Sequence, residues 1–381
     1  MPAVEKTSEP FKEYFSVALV EGMARHIKRA WKTFDAESFA RAAVKDFKSQ
    51  ELKQRATAIA AALAVYLPKD VPRALKILTA SLRPLGKDGE RLEDETKGAA
   101  GWAIWPMGEY IAARGQAHVA DSLAALRELT IRSTSEFAVR PFLANHPKQT
   151  LATLKTWLKD PNHHVRRLVS EGSRPRLPWG LRLKSFVADP KPILPLLEAL
   201  KDDPSEYVRR SVANSLNDIA KDHPDLVAEI AARWLKGASK ERARLVRHAC
   251  RTLVKAGHRK TLAALGFESK PKVKLARFVM TTAKVKFGAH AAFAVELRST
   301  GTASQNIVLD YIVHHRKKAG GTAPKVFKWK TVTLNPNEVL VLQRRHALKS
   351  ITTRVYYPGT HRVEVMVNGQ VLKGGDFELV F

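Results

Sequence analysis

The stretches DPNHHVRRLVSEG (160–172) and DPSEYVRRSVANS (203–215) decide the fold, because they repeat one pattern 43 residues apart. Each has Asp-Pro followed by Val-Arg-Arg, and LVRHACRTL (245–253) continues the series without the Asp-Pro. Asp-Pro predicts a helix start, with Asp as the N-cap and Pro at the first helical position. A period of about 40 residues with two helices per repeat predicts HEAT-like repeats, which stack into a solenoid with a concave surface.

The hydrophobic period divides the chain into two regions. In residues 11–265 apolar residues recur three and four apart, which predicts helices. After about Ser269 the period falls towards two, as in FAVELRS (293–299), and Asn368-Gly369 predicts a hairpin turn. About seven short strands of this kind are typical of an immunoglobulin-like β-sandwich.

We therefore predict a multidomain protein, α then β. An N-terminal HEAT-like α-solenoid occupies residues 1–268, and a C-terminal immunoglobulin-like β-sandwich occupies residues 269–381. The segment GFESKPK (266–272) is the predicted linker.

The charge of the chain predicts a polyanionic partner. The 381 residues include 65 Lys and Arg against 37 Asp and Glu, a formal net charge of +28. So large a balance favours nucleic acid first and an anionic membrane surface second, although a basic surface can also serve solubility alone. No run of about 18 apolar residues exists, so no membrane span is expected.

Other residue patterns exclude several kinds of site. Cys250 is the only cysteine, which excludes disulfides within the chain and Cys-x-x-Cys zinc sites. There is no Walker loop, no Gly-x-Gly-x-x-Gly and no His-Glu-x-x-His, so we expect neither metal nor cofactor. Residues 1–14 lack the apolar core of a signal peptide, which predicts a cytoplasmic protein.

The polar faces of the repeat helices carry arginines in register. Arg167, Arg210 and Arg247 are expected to align as a ladder that binds DNA phosphates, because a guanidinium can grip a phosphate through two hydrogen bonds. The alternative is a solvated face with local ion pairs such as Arg167 with Glu171.

Acidic residues on these basic faces are candidate catalytic groups. Glu171 lies between two arginines, and Asp218 follows a helix rich in Arg and Asn. The alternative is that each pairs with its arginine neighbours and shapes the site. STSE (133–136) reads as a capping box, with Ser133 as N-cap and Glu136 at the third helical position.

Two tryptophans lie near these acids in the sequence. Trp179 follows two prolines in SRPRLPWG (173–180), so it is predicted to stand on a loop, against DNA or as a staple to the core. Trp105 and Glu109 are four residues apart, although Pro106 and Gly108 weaken the helix prediction there. The basic segment HHRKKAGGTAPK (314–325) is a predicted phosphate-contacting loop, with its adjacent histidines facing phosphate or solvent.

Three segments together resemble the AlkC branch of the AlkC/AlkD family of DNA alkylation-repair glycosylases. They are FAVRPFLANHP (137–147), DPNHHVRRLVSEGSRPRLPWG (160–180) and DPSEYVRRSVANSLNDIAKDHPDLV (203–227). The resemblance covers most of residues 10–265, and a C-terminal immunoglobulin-like domain agrees with one AlkC subgroup.

The resemblance implies excision of 3-methyladenine and 3-methylcytosine from double-stranded DNA without full base flipping. It also implies a bacterial cytoplasmic, nucleoid-associated protein acting as a monomer. Its catalytic pattern maps onto Glu136, Glu171 and Asp218, with Trp179 as the aromatic residue. The AlkD branch has a Trp and an Asp four residues apart. This chain has only Trp105 and Glu109 at that spacing, so the role of the AlkD pair is not assigned to them.

The chemistry is consistent with this implication. A base alkylated on a ring nitrogen is cationic and a good leaving group, so carboxylates need only stabilise the sugar cation and orient water. The rival hypothesis is a DNA-binding repair scaffold without catalysis, and a third is a protein-binding HEAT adaptor. The predicted DNA-contacting residues are Arg140, Arg167, Arg174, Arg210, Arg247, Arg251, Lys317 and Lys318.

Overall fold

The chain is helical first and then forms β-sheets, which confirms the predicted fold class. The computed structural model describes residues 10–86, 95–268 and 270–381, and these contain sixteen α-helices followed by eight strands. The first helices are α1 (Val17–Ala30), α2 (Ala36–Val44), α3 (Leu52–Tyr66), α4 (Val71–Ala80), α5 (Ile104–Arg114), α6 (Val119–Arg132), α7 (Val139–Asn145) and α8 (Pro147–Trp157). The others are α9 (His163–Gly172), α10 (Lys184–Ala188), α11 (Leu194–Leu200), α12 (Glu206–Ile219), α13 (Pro224–Leu235), α14 (Lys240–Ala249), α15 (Arg251–Lys255) and α16 (Arg259–Ala264).

The Asp-Pro pair precedes each repeat helix but does not cap it. The N-cap of α9 is Asn162, whose side chain accepts a hydrogen bond from the His164 amide. The Asp160 carboxylate instead accepts from the Asn162 amide at 2.9 Å and from Arg127 Nε at 2.6 Å. The prediction that Asp160 is the N-cap is therefore wrong, because its carboxylate binds Arg127 of α6, three helices earlier in the chain.

The first arginine of Val-Arg-Arg explains why the pattern repeats. Arg166 donates to both carboxylate oxygens of Asp203, at 2.6 and 3.0 Å, and so links one repeat to the next. It also binds the Asp160 and Pro161 carbonyls, and Arg209 binds the Asp203 carbonyl in the same way. The Arg166–Asp203 ion pair thus repeats, one unit further along the chain, the Arg127–Asp160 ion pair.

The predicted apolar stripes of the repeat helices form the core. Val165, Leu168 and Val169 of α9 are fully buried, as are Val208 and Val212 of α12. Helix α9 packs against α6 and α12. This burial fixes the rotation of α9 and α12, and with it the direction of their polar residues.

The C-terminal strands form two sheets packed face to face. The strands are β1 (Val273–Met280), β2 (Lys284–Lys286), β3 (His290–Ser299), β4 (Gln305–Arg316), β5 (Thr322–Leu334), β6 (Val339–Ala347), β7 (Gly359–Val367) and β8 (Gln370–Val380). One sheet has the order β1-β3-β6 and the other β2-β8-β7-β4-β5. The inward residues of both sheets share one core, which includes Phe293, Tyr311 and Phe377.

The predicted hairpin at Asn368-Gly369 is confirmed, and it also meets a helix. The two residues have φ of 46° and 79°, and β7 pairs with β8 on either side. A Cβ at Gly369 would lie 2.0 Å from the Gly257 Cα, so glycine permits this backbone approach. The Asn368 side chain also donates to the Glu268 carbonyl at 2.7 Å.

The chain forms two compact units, Met1–Ile219 and Ala220–Phe381. Helices α13 to α16 therefore belong to the same unit as the sheets. The domain division at 268/269 stays a prediction.

Within the described ranges, no helix has the length and apolar character needed to cross a membrane.

The basic segment 314–325 is a hairpin and not a long loop. Strand β4 extends to Arg316 and β5 begins at Thr322, so only residues 317–321 turn. Lys317 and Lys318 are exposed at this turn, whereas His315 is buried in the sandwich beside Tyr356. The prediction that both histidines face phosphate or solvent is wrong for His315, because its side chain points to the core face of β4.

Candidate active site

Three carboxylates from separate chain segments meet in one ion-pair network in the first unit. Glu136 lies in the turn before α7, Glu171 on α9 and Asp218 on α12. We call this set, with the arginines that link it, the carboxylate network. These are the acids that the sequence singled out, and the fold brings them together.

Arg167 links the first two carboxylates. Its Nη1 binds Glu136 Oε2 in a short contact and donates to Thr134 Oγ1 at 3.2 Å, and its Nη2 lies 3.3 Å from Glu171 Oε1. The Tyr207 ring lies 5.1 Å from the same guanidinium. Arg167 thus forms ion pairs with Glu136 and Glu171, as in the predicted alternative to a phosphate contact.

Arg174 links the second and third carboxylates. Its Nη1 donates to Glu171 Oε1 at 2.6 Å and its Nε donates to Asp218 Oδ2 at 2.8 Å. Burial opposes the charge of Arg174, but the hydrogen bond to Asp218 and the charges of both carboxylates outweigh it and raise its pKa. The arginine therefore stays protonated and holds the two acids in a fixed geometry.

Serines complete the shell around Glu171. Ser211 of α12 donates to Glu171 Oε2 at 2.7 Å and accepts from Ser170 at 2.7 Å. Every carboxylate oxygen of Glu171 therefore has a hydrogen-bond partner, as buried charges require.

The network is mostly buried, which strengthens its electrostatic effect. Glu171 is 5% exposed and Asp218 is 3% exposed, and Glu136 is the most accessible of the three, with 13% of its side chain exposed. In such surroundings charges interact more strongly than in water. The arrangement can stabilise a cation that approaches from the side of Glu136.

Arg140 does not contact solvent, so its predicted role in binding phosphate is wrong. It is fully buried, and it donates to the Leu181 carbonyl at 2.6 Å and to the Gly172 carbonyl at 2.8 Å. Burial and the neighbouring Arg174 lower its pKa to about 10, against the opposing effect of the carboxylates. It stays charged at neutral pH.

The other predicted DNA-contacting arginines divide into two groups. Arg174 is buried in the carboxylate network and cannot reach a phosphate while those pairs persist. Arg210 and Arg247 are exposed, and Arg251 is half-buried. The alignment of Arg167, Arg210 and Arg247 as a phosphate ladder stays a prediction, and Arg167 is engaged by carboxylates.

The predicted capping box is absent. Ser133 ends α6, and α7 begins only at Val139, so Glu136 lies in the intervening turn. Thr134 binds Glu136 from both sides, donating to its carboxylate at 2.6 Å and accepting from its amide at 3.3 Å. Glu136 is thereby freed from a capping role and turned towards Arg167.

Trp179 stands on a loop, as predicted, and is 64% exposed. Its φ is 64°, in the left-handed region that side chains other than glycine rarely adopt. The exposure of the Trp179 side chain favours the alternative in which it faces DNA over the one in which it packs the loop against the core.

Trp105 and Glu109 form a hydrogen-bonded pair on α5. Pro106 is tolerated because it lies in the first turn of the helix, where its missing N–H is not needed. Trp105 Nε1 donates to Glu109 at 2.7 Å, and Thr57 donates to the other oxygen at 2.9 Å. Burial raises the pKa of Glu109 despite these bonds. The Trp105 ring packs against Phe137, next to Glu136.

Comparison with known proteins decides the family. Residues 130–265 match the family described as "DNA alkylation repair enzyme", and residues 274–381 match the "C-terminal Ig-like domain" of YhaZ. The chain is similar to alkylpurine DNA glycosylase AlkC of Pseudomonas fluorescens, solved bound to DNA containing an abasic site analog. The identity is 35%, the TM-score 0.87, and the match covers 98% of this chain and 100% of that one. The chain belongs to the AlkC family.

A second relative matches over almost the whole length of both chains. The uncharacterized protein YhaZ of Bacillus subtilis is 35% identical over 369 residues, which are 97% of this chain and 99% of that protein. The matches to both relatives therefore extend over both the helical and the β regions of this chain.

Sequence reasoning assigned Arg140 to the surface and missed Ser211 and Lys53. Arg140 stands within the apolar run FAVRPFL (137–143), and that context was a signal that its guanidinium is buried. Ser211 and Lys53 gave no signal, because their partners are distant in sequence. Lys53, on α3, donates to the Trp179 carbonyl at 2.6 Å.

Proposed function

We propose that this chain hydrolyses the N-glycosidic bond of cationic alkylated bases, such as 3-methyladenine and 3-methylcytosine, in double-stranded DNA. The observation that carries the proposal is the carboxylate network of a member of a DNA alkylation-repair family, in which the half-buried Arg167 and the buried Arg174 hold Glu136, Glu171 and Asp218. One related solved structure is that of an alkylpurine DNA glycosylase.

The carboxylates act on the sugar and not on the base. A base alkylated on a ring nitrogen carries a positive charge, which the breaking bond neutralises, so departure needs no strong acid. Positive charge then builds on the deoxyribose, as in glycoside hydrolysis, and preorganised carboxylates stabilise it. A carboxylate of the network also orients the attacking water.

We propose that excision proceeds without full base flipping. A cavity between α5 and the turn at residues 134–138, lined by Trp105, Glu109 and Phe137, has a volume of about 10 Å³, room for about one water molecule. An exposed Trp179 supplies an aromatic face to a sugar that approaches from the groove.

The second unit offers a basic surface for the DNA backbone. Lys240, Arg244 and Arg247 are exposed at i, i+4 and i+7 on α14, with Arg251 one turn further, while Leu245 and Ala249 are buried on the opposite side. Lys317 and Lys318 add charge at the β4–β5 turn. These cations support non-sequence-specific binding to phosphates.

The test is base release. Duplex DNA treated with a methylating agent is incubated with the protein, and free 3-methyladenine and 3-methylcytosine are quantified by mass spectrometry. Release that leaves abasic sites in an uncut strand is expected. Salt-dependent duplex binding without any released base would instead favour the non-catalytic scaffold.

A further inference from the structure

The loop that carries Trp179 is built in an unfavourable conformation. Residues 175–183 form a loop closed at its base, where the Leu183 amide donates to the Pro175 carbonyl at 3.2 Å. A left-handed φ is unfavourable for an ordinary residue, and a mostly exposed indole adds little packing. Folding alone gives no reason for this conformation, and such outliers point to function when the surroundings enforce them.

Arg140 connects this loop to the end of α9, the helix that carries Glu171. One guanidinium binds the carbonyl of Leu181, two residues after Trp179, and the carbonyl of Gly172, next to Glu171. A Cβ at Gly180 would lie 3.2 Å from Arg140 Cδ and Nε, so the absence of a side chain there lets the loop close over the arginine.

Lys53 holds the tip of the loop from the other side. Its ammonium donates to the Trp179 carbonyl at 2.6 Å, although α3 is 126 residues away in sequence. Lys53 therefore fixes the carbonyl of Trp179, the residue with the left-handed φ, and Arg140 fixes the carbonyl of Leu181. Neither contact uses the indole, which stays free to touch a ligand.

We propose that Lys53 and Arg140 are positioning residues that hold Trp179 ready to contact the deoxyribose of the damaged nucleotide. This inference rests on the proposed function. A loop ordered in advance avoids the entropy cost of ordering during binding, and it places the indole at a fixed distance from Glu171 through the shared Arg140.

Lys53 gives the cleaner test because it is exposed, so Lys53→Met is expected to fold normally. Lys155→Met, which removes an exposed lysine from α8, is the matched control, and Lys53→Arg is the conservative variant. Arg140→Lys is the second variant, since it keeps a buried charge but cannot bind two carbonyls in the same way.

The first readout is hydrogen exchange of the full chain without DNA, followed by mass spectrometry. Lys53→Met and Arg140→Lys are expected to speed exchange within residues 176–183, where the Gly180 and Leu183 amides are hydrogen-bonded. Lys53→Arg and Lys155→Met are expected to leave it unchanged. Unchanged exchange in both Lys53→Met and Arg140→Lys would overturn the proposal.

The second readout is a double-mutant cycle on base release under single-turnover conditions with saturating protein. Lys53→Met is expected to slow release roughly tenfold in the wild-type background and not at all in the Trp179→Ala background. An equal loss in both backgrounds would contradict action through Trp179. A second result would also contradict it: Lys53→Met releases base at the wild-type rate at saturation, but the salt slope of its DNA binding is reduced by about one. That result would identify Lys53 as a phosphate contact.

The two claims can fail separately. A wild-type protein that releases no base from methylated duplex contradicts the proposed function. The exchange readout still decides whether Lys53 and Arg140 order the loop.

Discussion

Arg174 joins Glu171 and Asp218, residues on two successive repeat helices, through hydrogen bonds of 2.6 and 2.8 Å. The contact to Asp218 crosses from the end of α9 to the end of α12, so the geometry of the acids depends on how the two helices stack. The Arg174 guanidinium thus links the two repeat helices and also positions two of the candidate catalytic carboxylates.

Arg174→Met is expected to lower the free energy of unfolding by about 3–5 kcal/mol, because it removes the cation that two buried carboxylates share and leaves Glu171 only its longer ion pair with Arg167. Arg210→Met is the control, since the Arg210–Glu206 pair is exposed and its loss is expected to cost at most about 1 kcal/mol. Urea unfolding of both variants checks this. Equal destabilisation would contradict the role given to Arg174.

Trp179→Gly is expected to separate stability from activity. Glycine adopts φ of 64° without strain, so the free energy of unfolding should stay within about 1 kcal/mol of the wild-type value while base release falls. Thermal melting and single-turnover release are measured on the same preparation. A loss of several kcal/mol would show that the indole packs as core.

The sequence predicted the helical and β regions and the apolar stripes well, because both follow from short periods. It also singled out Glu136, Glu171 and Asp218, which do meet. It placed Arg140 and Arg174 on the surface, because periodicity does not reveal that a neighbouring segment covers a helix face. The Asp160 cap and the Ser133 box were wrong for a related reason: the carboxylates of Asp160 and Glu136 pair with Arg127 and Arg167, which are distant in sequence.

The β-sandwich is expected to lose stability below pH 6.5. Burial, with nearby cations, lowers the pKa of His315 to about 3 and that of His346 to about 4. The unfolded chain takes up these protons near pH 6.5 and the folded chain does not, so stability falls as the pH drops from 6.5 towards 4. Each histidine contributes up to about 1.4 kcal/mol per pH unit.

The measurement is the melting temperature of the full chain between pH 7.5 and pH 4.5, followed by the fluorescence of a probe attached within the sandwich. His315→Leu is expected to flatten the profile, while His290→Leu removes an exposed histidine as the control. A profile that is equally steep in both variants would assign the acid sensitivity to other groups.

Arg247→Gln is expected to weaken duplex binding at low salt and to reduce the salt slope of the binding constant by about 0.9, the value for one phosphate contact. Lys155→Gln, an exposed residue of α8 outside the predicted DNA-contacting set, is the control for net charge. Fluorescence anisotropy with undamaged duplex at several salt concentrations measures both. Equal slopes in the two variants would mean that α14 makes no local contact.

The central claim is that the carboxylate network carries the reaction. Its most direct test is the single-turnover release of 3-methyladenine from methylated duplex by Glu171→Gln and Asp218→Asn, with melting temperature and duplex affinity recorded for each variant. Both substitutions preserve shape and remove charge, and we expect release to fall about a hundredfold in each while duplex affinity is kept. Wild-type rates in both variants would contradict the assignment of the site.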